Sequence, residues 1–197
     1  MIAVLLPPPL GAPESLPDLP DRLPEHGVPA VRIGGGADDR PPYAGRYVAH
    51  ASLEISAAVA ADARIALVAE GDAGPLVGAV GAAQRAAHRP VLGYVLVDAF
   101  LPQPGSPTLD EITAAQSPEG AGPEAAGPEA AGPPGYRTET LPMAPDWPDA
   151  PCGYLLTRPD RAHVARLARM RGWTVREADP EDAPAALADL LTELRGV

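Results

Sequence analysis

Two carboxylates flank a glycine in Ala69-Glu70-Gly71-Asp72-Ala73. The residues that follow, Leu76, Val77, Val80, Ala83 and Ala87, recur at helical spacing, so Glu70 and Asp72 belong at the amino end of a helix. Free N–H groups and the helix dipole stabilise anions there, which lowers carboxyl pKa values and suits electrostatics or N-capping. A Glu70 side chain turned into an apolar pocket would behave in the opposite way. Desolvation would raise its pKa towards that of a useful base. Other chemistry is thinly represented. Cys152 is the only cysteine, so an internal disulfide is impossible and the usual zinc spacings are missing. Beside Pro151, at the start of an apolar run, it reads as a buried, inert thiol. Gly34-Gly35-Gly36 lacks the lysine and hydroxyl of a phosphate loop and reads as a turn. No metal and no cofactor is expected.

The elements that must position Glu70 and Asp72 lie between Arg64 and Pro102. Ile65 to Ala69 and Val91 to Val97 are apolar runs of strand length. A tight turn at Gly71-Asp72-Ala73-Gly74 and a helix connect them. Strand, turn, helix and strand form a right-handed βαβ unit, which demands a parallel sheet. Open α/β sheets present their chemistry at such turns.

This segment resembles the nucleophile elbow of the α/β-hydrolase superfamily, above all small members reading roughly LVxHSGAGPLLP…VVxVDAxLPxPG. The G-x-S-x-G of that family sets a serine on a strained strand-to-helix turn. Here Gly71 stands where the serine belongs. The resemblance implies a three-layer α/β sandwich with a mostly parallel, roughly six-stranded sheet, a minimal hydrolase fold with a reduced lid. It also implies where partner groups would stand. Pro7-Pro8-Pro9-Leu10-Gly11 replaces the loop that supplies an oxyanion-hole amide, and prolines have no N–H to donate. Asp98 closes the strand after the elbow, where some members keep the triad acid, though VDAxLP also fits a local scaffold. Asp160, after the Cys152 strand, matches the usual acid position and equally fits a helix N-cap. The family histidine is absent from Glu177-Ala178-Asp179-Pro180. Of His26, His50, His88 and His163, only His163 falls on the same sheet edge. Catalytic candidates are therefore Glu70, Asp72, Asp98 and Asp160, and pocket candidates are Pro8, Leu10, Gly71 and Trp147.

Elsewhere Ile2 to Leu6 reads as the first strand, and Ser15 to His26 as a short helix broken by prolines. Val28 to Ile33 reads as a strand, and Tyr43 to Ala63 as a long helix. Arg161 to Gly172 and Glu181 to Arg195 read as helices flanking a last strand at 173–177. Residues 103–149 correspond to the lid. Leu109 to Ala115 makes about two turns of helix, and Leu141, Met143 and Trp147 return over the pocket. Within it 118–135 carries the repeat AGPEA-AGPEA-AGPP, which has no bulky apolar residue and reads as a flexible linker.

The 197 residues suit one domain, 1–197. A net charge of −11, with all 15 basic residues arginine, argues against nucleic acid, because phosphate neutralisation needs clustered cations. No run approaches the ~20 apolar residues of a membrane span, and the N-terminus lacks a basic leader, so a cytoplasmic location is expected. With the family's serine and histidine positions replaced, the expected function is non-hydrolytic. The first expectation is a repurposed bacterial natural-product enzyme that cyclises, isomerises, epimerises or eliminates by acid–base chemistry. The alternatives are a ligand-binding or accessory protein and a hydrolase with relocated groups. The partner is a small molecule or biosynthetic intermediate, and the apolar face of the last helix permits a homodimer.

Overall fold

The computed structural model describes residues 1–34, 40–117, 133–142 and 147–196. Six strands form one parallel sheet: β1 (Ile2–Leu6), β2 (Ala30–Arg32), β3 (Ile65–Glu70), β4 (Val91–Val97), β5 (Cys152–Leu156) and β6 (Thr174–Glu177). Their order is β2-β1-β3-β4-β5-β6, with Leu6 opposite Ala69 and Glu70 opposite Val97. The order reverses between β1 and β3, the place where open α/β sheets leave a crevice beyond the carboxyl ends of their strands.

Helices cover both faces, and the sequence shows why. On β3, Ile65, Leu67 and Ala69 share one core with α2 (Tyr43–Ala58), α3 (Val77–Ala86) and α6 (Ala162–Met170). Ala66 and Val68 join the other, under α1 (Leu19–Arg22) and α7 (Ala183–Arg195). Successive strand side chains alternate faces, so Glu70 falls on the α1/α7 side. The lid pieces α4 (Leu109–Gln116) and α5 (Pro134–Thr138) pack on the opposite side, through Leu109, Ile112 and Tyr136.

Several expected boundaries shift. Helix α2 stops at Ala58 rather than Ala63, where Val59 turns extended (φ −123°, ψ 131°), and the buried Arg89 takes the carbonyls of Val59 and Ala60 at 2.9 and 2.7 Å. The turn after β3 is a 3-10 stretch, Gly71–Leu76, that feeds α3. Of the expected linker, residues 118–132 lie outside the described residues, as does Met143, while Pro134 and Gly135 already belong to α5. Among the described residues no helix is long and apolar enough to cross a membrane.

Candidate functional site

Three residues with left-handed backbones stand beyond the carboxyl ends of three neighbouring strands. They are Leu10 (φ 60°) after β1, Gly71 (φ 52°) after β3 and Asp98 (φ 48°) after β4. Only glycine adopts this conformation without penalty, and non-glycine examples concentrate where structure serves function. Gly71 forms the apex. A Cβ built on it would lie 3.5 Å from Cγ of Pro8, an ordinary contact. Pro8 is buried and stands against this apex, and Leu10 is half-buried and packs against the apolar core.

Trp147 lies elsewhere. Its ring covers Gly78 on α3, where a Cβ would stand only 2.7 Å from Trp147 Cδ1. It meets Tyr94 and Trp173 edge-on at 5.9 and 5.5 Å. The residue expected to return over the pocket is instead part of the packing between α3 and the sheet.

Glu70 does not face the lid. Its carboxylate, 4% exposed, accepts the Ser15 N–H at 3.0 Å and also engages the Leu16 amide. It stands at the N-cap position of the 3-10 stretch but makes no side-chain cap there. The helix-terminus argument for a lowered pKa therefore fails. Burial, helped by the charge of Glu14, pushes the carboxyl up to about 7 against the pull of the Ser15 and Leu16 amides and Arg32.

Asp98 is 2% exposed and tied on every side. It accepts the N–H of Thr157 at 2.8 Å, that of Arg158 at 3.2 Å, and the Thr157 hydroxyl. Burial raises its pKa, and those donors oppose the rise. The side chain thus clamps the end of β4 to the end of β5, as the scaffold reading has it. Asp160 makes no N-cap, since α6 begins two residues later behind Arg161 and without a side-chain cap. Its carboxylate pairs with the Arg158 guanidinium at 2.8 Å. Partial burial works against ionisation, but Arg158 and Arg161 outweigh it and hold the carboxyl below its usual range. His163, beside Asp160, has a buried Nε2 without a hydrogen-bond partner. Burial and the Arg161 charge lower its pKa against the pull of the Gln116 and Asp160 backbones. Between β5 and β6, Thr157, Arg158, Pro159, Glu177 and Asp179 line an open cleft of about 450 Å³.

Asp72 alone of the four carboxylates keeps to the apex on the lid side. It is half-buried, and its charge is the foremost electrostatic influence, after burial, raising the pKa of Tyr136. Tyr136 was not among the sequence candidates. It is 3% exposed, and its hydroxyl has no hydrogen-bond partner. Helix α5 holds it there. Tyr136 packs edge-on against Tyr43 at 6.4 Å, Arg137 pairs with Asp110 at 2.7 Å, and Glu139 accepts the first amides of α2, from Tyr43 (2.9 Å) and Ala44. Tyr47, one turn along α2, donates to the Pro7 carbonyl at 2.7 Å. One bonded framework therefore runs from the lid through α2 to the loop of Pro8 and Leu10.

No family model matches the chain, and no curated protein matches it. Solved structures do match along nearly its whole length. An extracellular α/β-hydrolase from a Paenibacillus species, which shares structural and functional homology with tobacco salicylic acid binding protein 2, superposes with a TM-score of 0.62 at 14% identity, covering 98% of each chain. A variant of tomato methylketone synthase I complexed with beta-ketoheptanoate gives 0.55 at 12% identity over 98% of this chain and 96% of that one. The Vlm2 thioesterase domain bound with a dodecadepsipeptide gives 0.52 at 15% identity, over 98% and 92%. The chain has an α/β-hydrolase-like fold. In that fold the elbow apex carries the nucleophile, and Gly71 occupies an apex of the right shape, left-handed and at a strand-to-helix turn. Cys152, the first residue of β5, is buried, and burial pushes its thiol up to about 12. Among the described residues no group of three or more His, Cys, Asp or Glu is placed to hold a metal.

Proposed function

We propose that this hydrolase-like fold has lost acyl hydrolysis and binds a small organic ligand at the apex between β1 and β3. The observation that carries the reading is Gly71, a residue with no side chain at the strained position from which the fold's hydrolases attack. The sequence placed acid–base enzymes first, and the geometry shifts the balance towards binding. Glu70 serves the opposite face, Asp98 clamps two strand ends and Asp160 pairs with Arg158. Pro8 beside Gly71 and the Tyr43–Tyr136 pair supply apolar surface, and the Tyr136 hydroxyl, buried without a partner, is a donor.

A second reading, a non-hydrolytic enzyme of isomerase, cyclase or lyase type, is favoured by Asp72. Its charge acts on Tyr136, whose hydroxyl has no hydrogen-bond partner, and a carboxylate and a protonated phenol are groups that a proton relay uses.

The test uses the full chain. A fluorophosphonate probe should leave its mass unchanged, and p-nitrophenyl acetate and butyrate should hydrolyse at the buffer rate. Amide shifts on titration with small carbonyl compounds should cluster at Leu10, Gly71, Asp72 and Tyr136. A covalent adduct, or ester turnover above buffer, overturns the proposal. Conversion of a bound compound that is lost in Asp72→Asn establishes the second reading instead.

A further inference from the structure

Residues 7–9 are three consecutive prolines, so the chain that leaves β1 for the apex has no N–H to give over its first three positions. All three are buried, and a buried carbonyl needs a donor from elsewhere. Pro9 receives the Ala12 N–H at 3.3 Å, a bond within the loop. Pro7 receives the Tyr47 hydroxyl at 2.7 Å, in a buried contact spanning 40 positions of sequence. Among the described residues it is the one hydrogen bond that joins residues 7–10 to another element. A phenylalanine would fill the same place on the buried face of α2, with Ala44, Ala51 and Ile55. The hydroxyl adds only this bond, and burying it unbonded would be costly. Burial, then the charge of Glu70, pushes the phenol's pKa up, so it remains a donor.

The bond acts on a strained segment. Leu10, three residues on, holds φ 60° and ψ 26°, a left-handed conformation that leucine adopts only where its surroundings impose it. Pro8, next to the bonded carbonyl, is the residue that faces Gly71 across the apex. The donor itself is fixed. Tyr47 stands one turn into α2, whose first amides, from Tyr43 and Ala44, are held by Glu139. We propose that Tyr47 is the positioning residue of the apex, its hydroxyl setting where the Pro7–Gly11 loop stands against Gly71. Losing the bond leaves the Pro7 carbonyl buried and unpaired, so the loop is driven to open to water. A ligand that needs the ordered loop then binds more weakly, in proportion to the time the loop is out of place. The placement of the loop is independent of the ligand reading above, and only the effect on affinity rests on that reading.

Tyr47→Phe in the full chain tests it, because the ring is kept and only the hydroxyl goes. The amide coupling and carbon shifts of Leu10 report its φ. They should show the left-handed conformation in the natural chain and move towards extended-chain values in the variant, while those of Ala51 and Leu67 hold. A merely less stable fold would not move Leu10 alone. Unchanged Leu10 signals in the variant overturn the proposal, as does their drift together with Ala51 and Leu67. With cyclohexanone as the probe, the dissociation constant followed at Gly71 should rise about tenfold in the variant below its unfolding transition. An equal constant overturns the positioning role. If cyclohexanone moves no apex amide of the natural chain, the ligand reading loses that compound and the Leu10 signals alone decide the role of Tyr47. A second measurement needs no variant: the Tyr47 hydroxyl proton should be visible, with nuclear Overhauser contacts to Pro8, and a proton lost to rapid exchange with water overturns the proposal.

Discussion

Gly71 faces Pro8 across the switch point, with room between them for one more carbon. A Cβ on Gly71 would meet Pro8 Cγ at 3.5 Å, so the obstacle to a side chain there is conformational rather than steric. At φ 52° a non-glycine residue costs about 1–2 kcal/mol.

Gly71→Ser should therefore fold, with a melting temperature lowered by about 2–8 °C. It should not acquire esterase activity, because His26, His50, His88 and His163 belong to elements other than the apex turn and none follows β6, where the family's histidine takes the hydroxyl proton. Calorimetry and p-nitrophenyl acetate turnover check the two halves. Turnover well above buffer would mean that another side chain acts there as the base.

Asp98 should behave as a clamp. Removing its carboxylate in Asp98→Ala leaves the buried Thr157 N–H and hydroxyl without their acceptor, at a cost of about 2–4 kcal/mol. Urea unfolding reads the loss as a lower midpoint with an unchanged slope. Ligand shifts at Leu10 and Gly71 should survive in the variant below its unfolding transition, which separates a scaffold from a site residue.

Trp147 and Gly78 give a packing prediction. A methyl at residue 78 would sit 2.7 Å from Cδ1 of Trp147, so Gly78→Ala must displace the indole. The gain in helix propensity, about 1 kcal/mol, opposes overpacking of about 1–3 kcal/mol. A net loss of about 1 kcal/mol and a shifted tryptophan emission maximum are expected.

The long elements were legible because they bury continuous surface. Tyr47, Ala51 and Ile55 announce one face of α2, and the unbroken apolar run of β3 announces a strand buried on both sides. The apex was legible through its small residues. The direction of Glu70 was available too, since period-two alternation puts it with Ala66 and Val68, yet that signal competes with the helix that follows. Tyr136 and Glu139 had no local signal. Their roles come from contacts with α2 made more than ninety positions away in sequence, and no spacing within the lid encodes them. Trp147 misled for the same reason: an aromatic residue near the end of the lid segment fits a pocket lip or a core, and only the bare backbone of Gly78 decides.

Glu139 should couple the lid to the site. Its carboxylate caps α2 from a distant segment, on the amides of Tyr43 and Ala44, and loss of such a cap costs about 1–2 kcal/mol. Glu139→Ala should lower stability by that amount and also free α5. Exchange protection at Tyr136 should then fall further than that at Ile55, in the middle of α2. Equal loss at both positions would make Glu139 a helix cap alone.

Acid titration of the whole fold carries an unusual sign. Carboxylates that gain partners on folding destabilise a protein as they protonate, and Asp160, held low by Arg158, is of that kind, but it is largely exposed and counts for little. Glu70 and Asp98 are buried with raised pKa values, so the native state binds their protons more tightly than the unfolded chain does. Stability should therefore fall as pH rises from about 4.5 to 7, by up to about 3 kcal/mol from Glu70 alone. Glu70→Gln keeps a neutral acceptor for Ser15 and removes the buried charge. Its urea midpoint should exceed that of the natural chain at pH 8 and converge with it near pH 5. A natural chain more stable at pH 8 than at pH 5.5, with Glu70→Gln less stable at pH 8, would show that the two amides outweigh the burial.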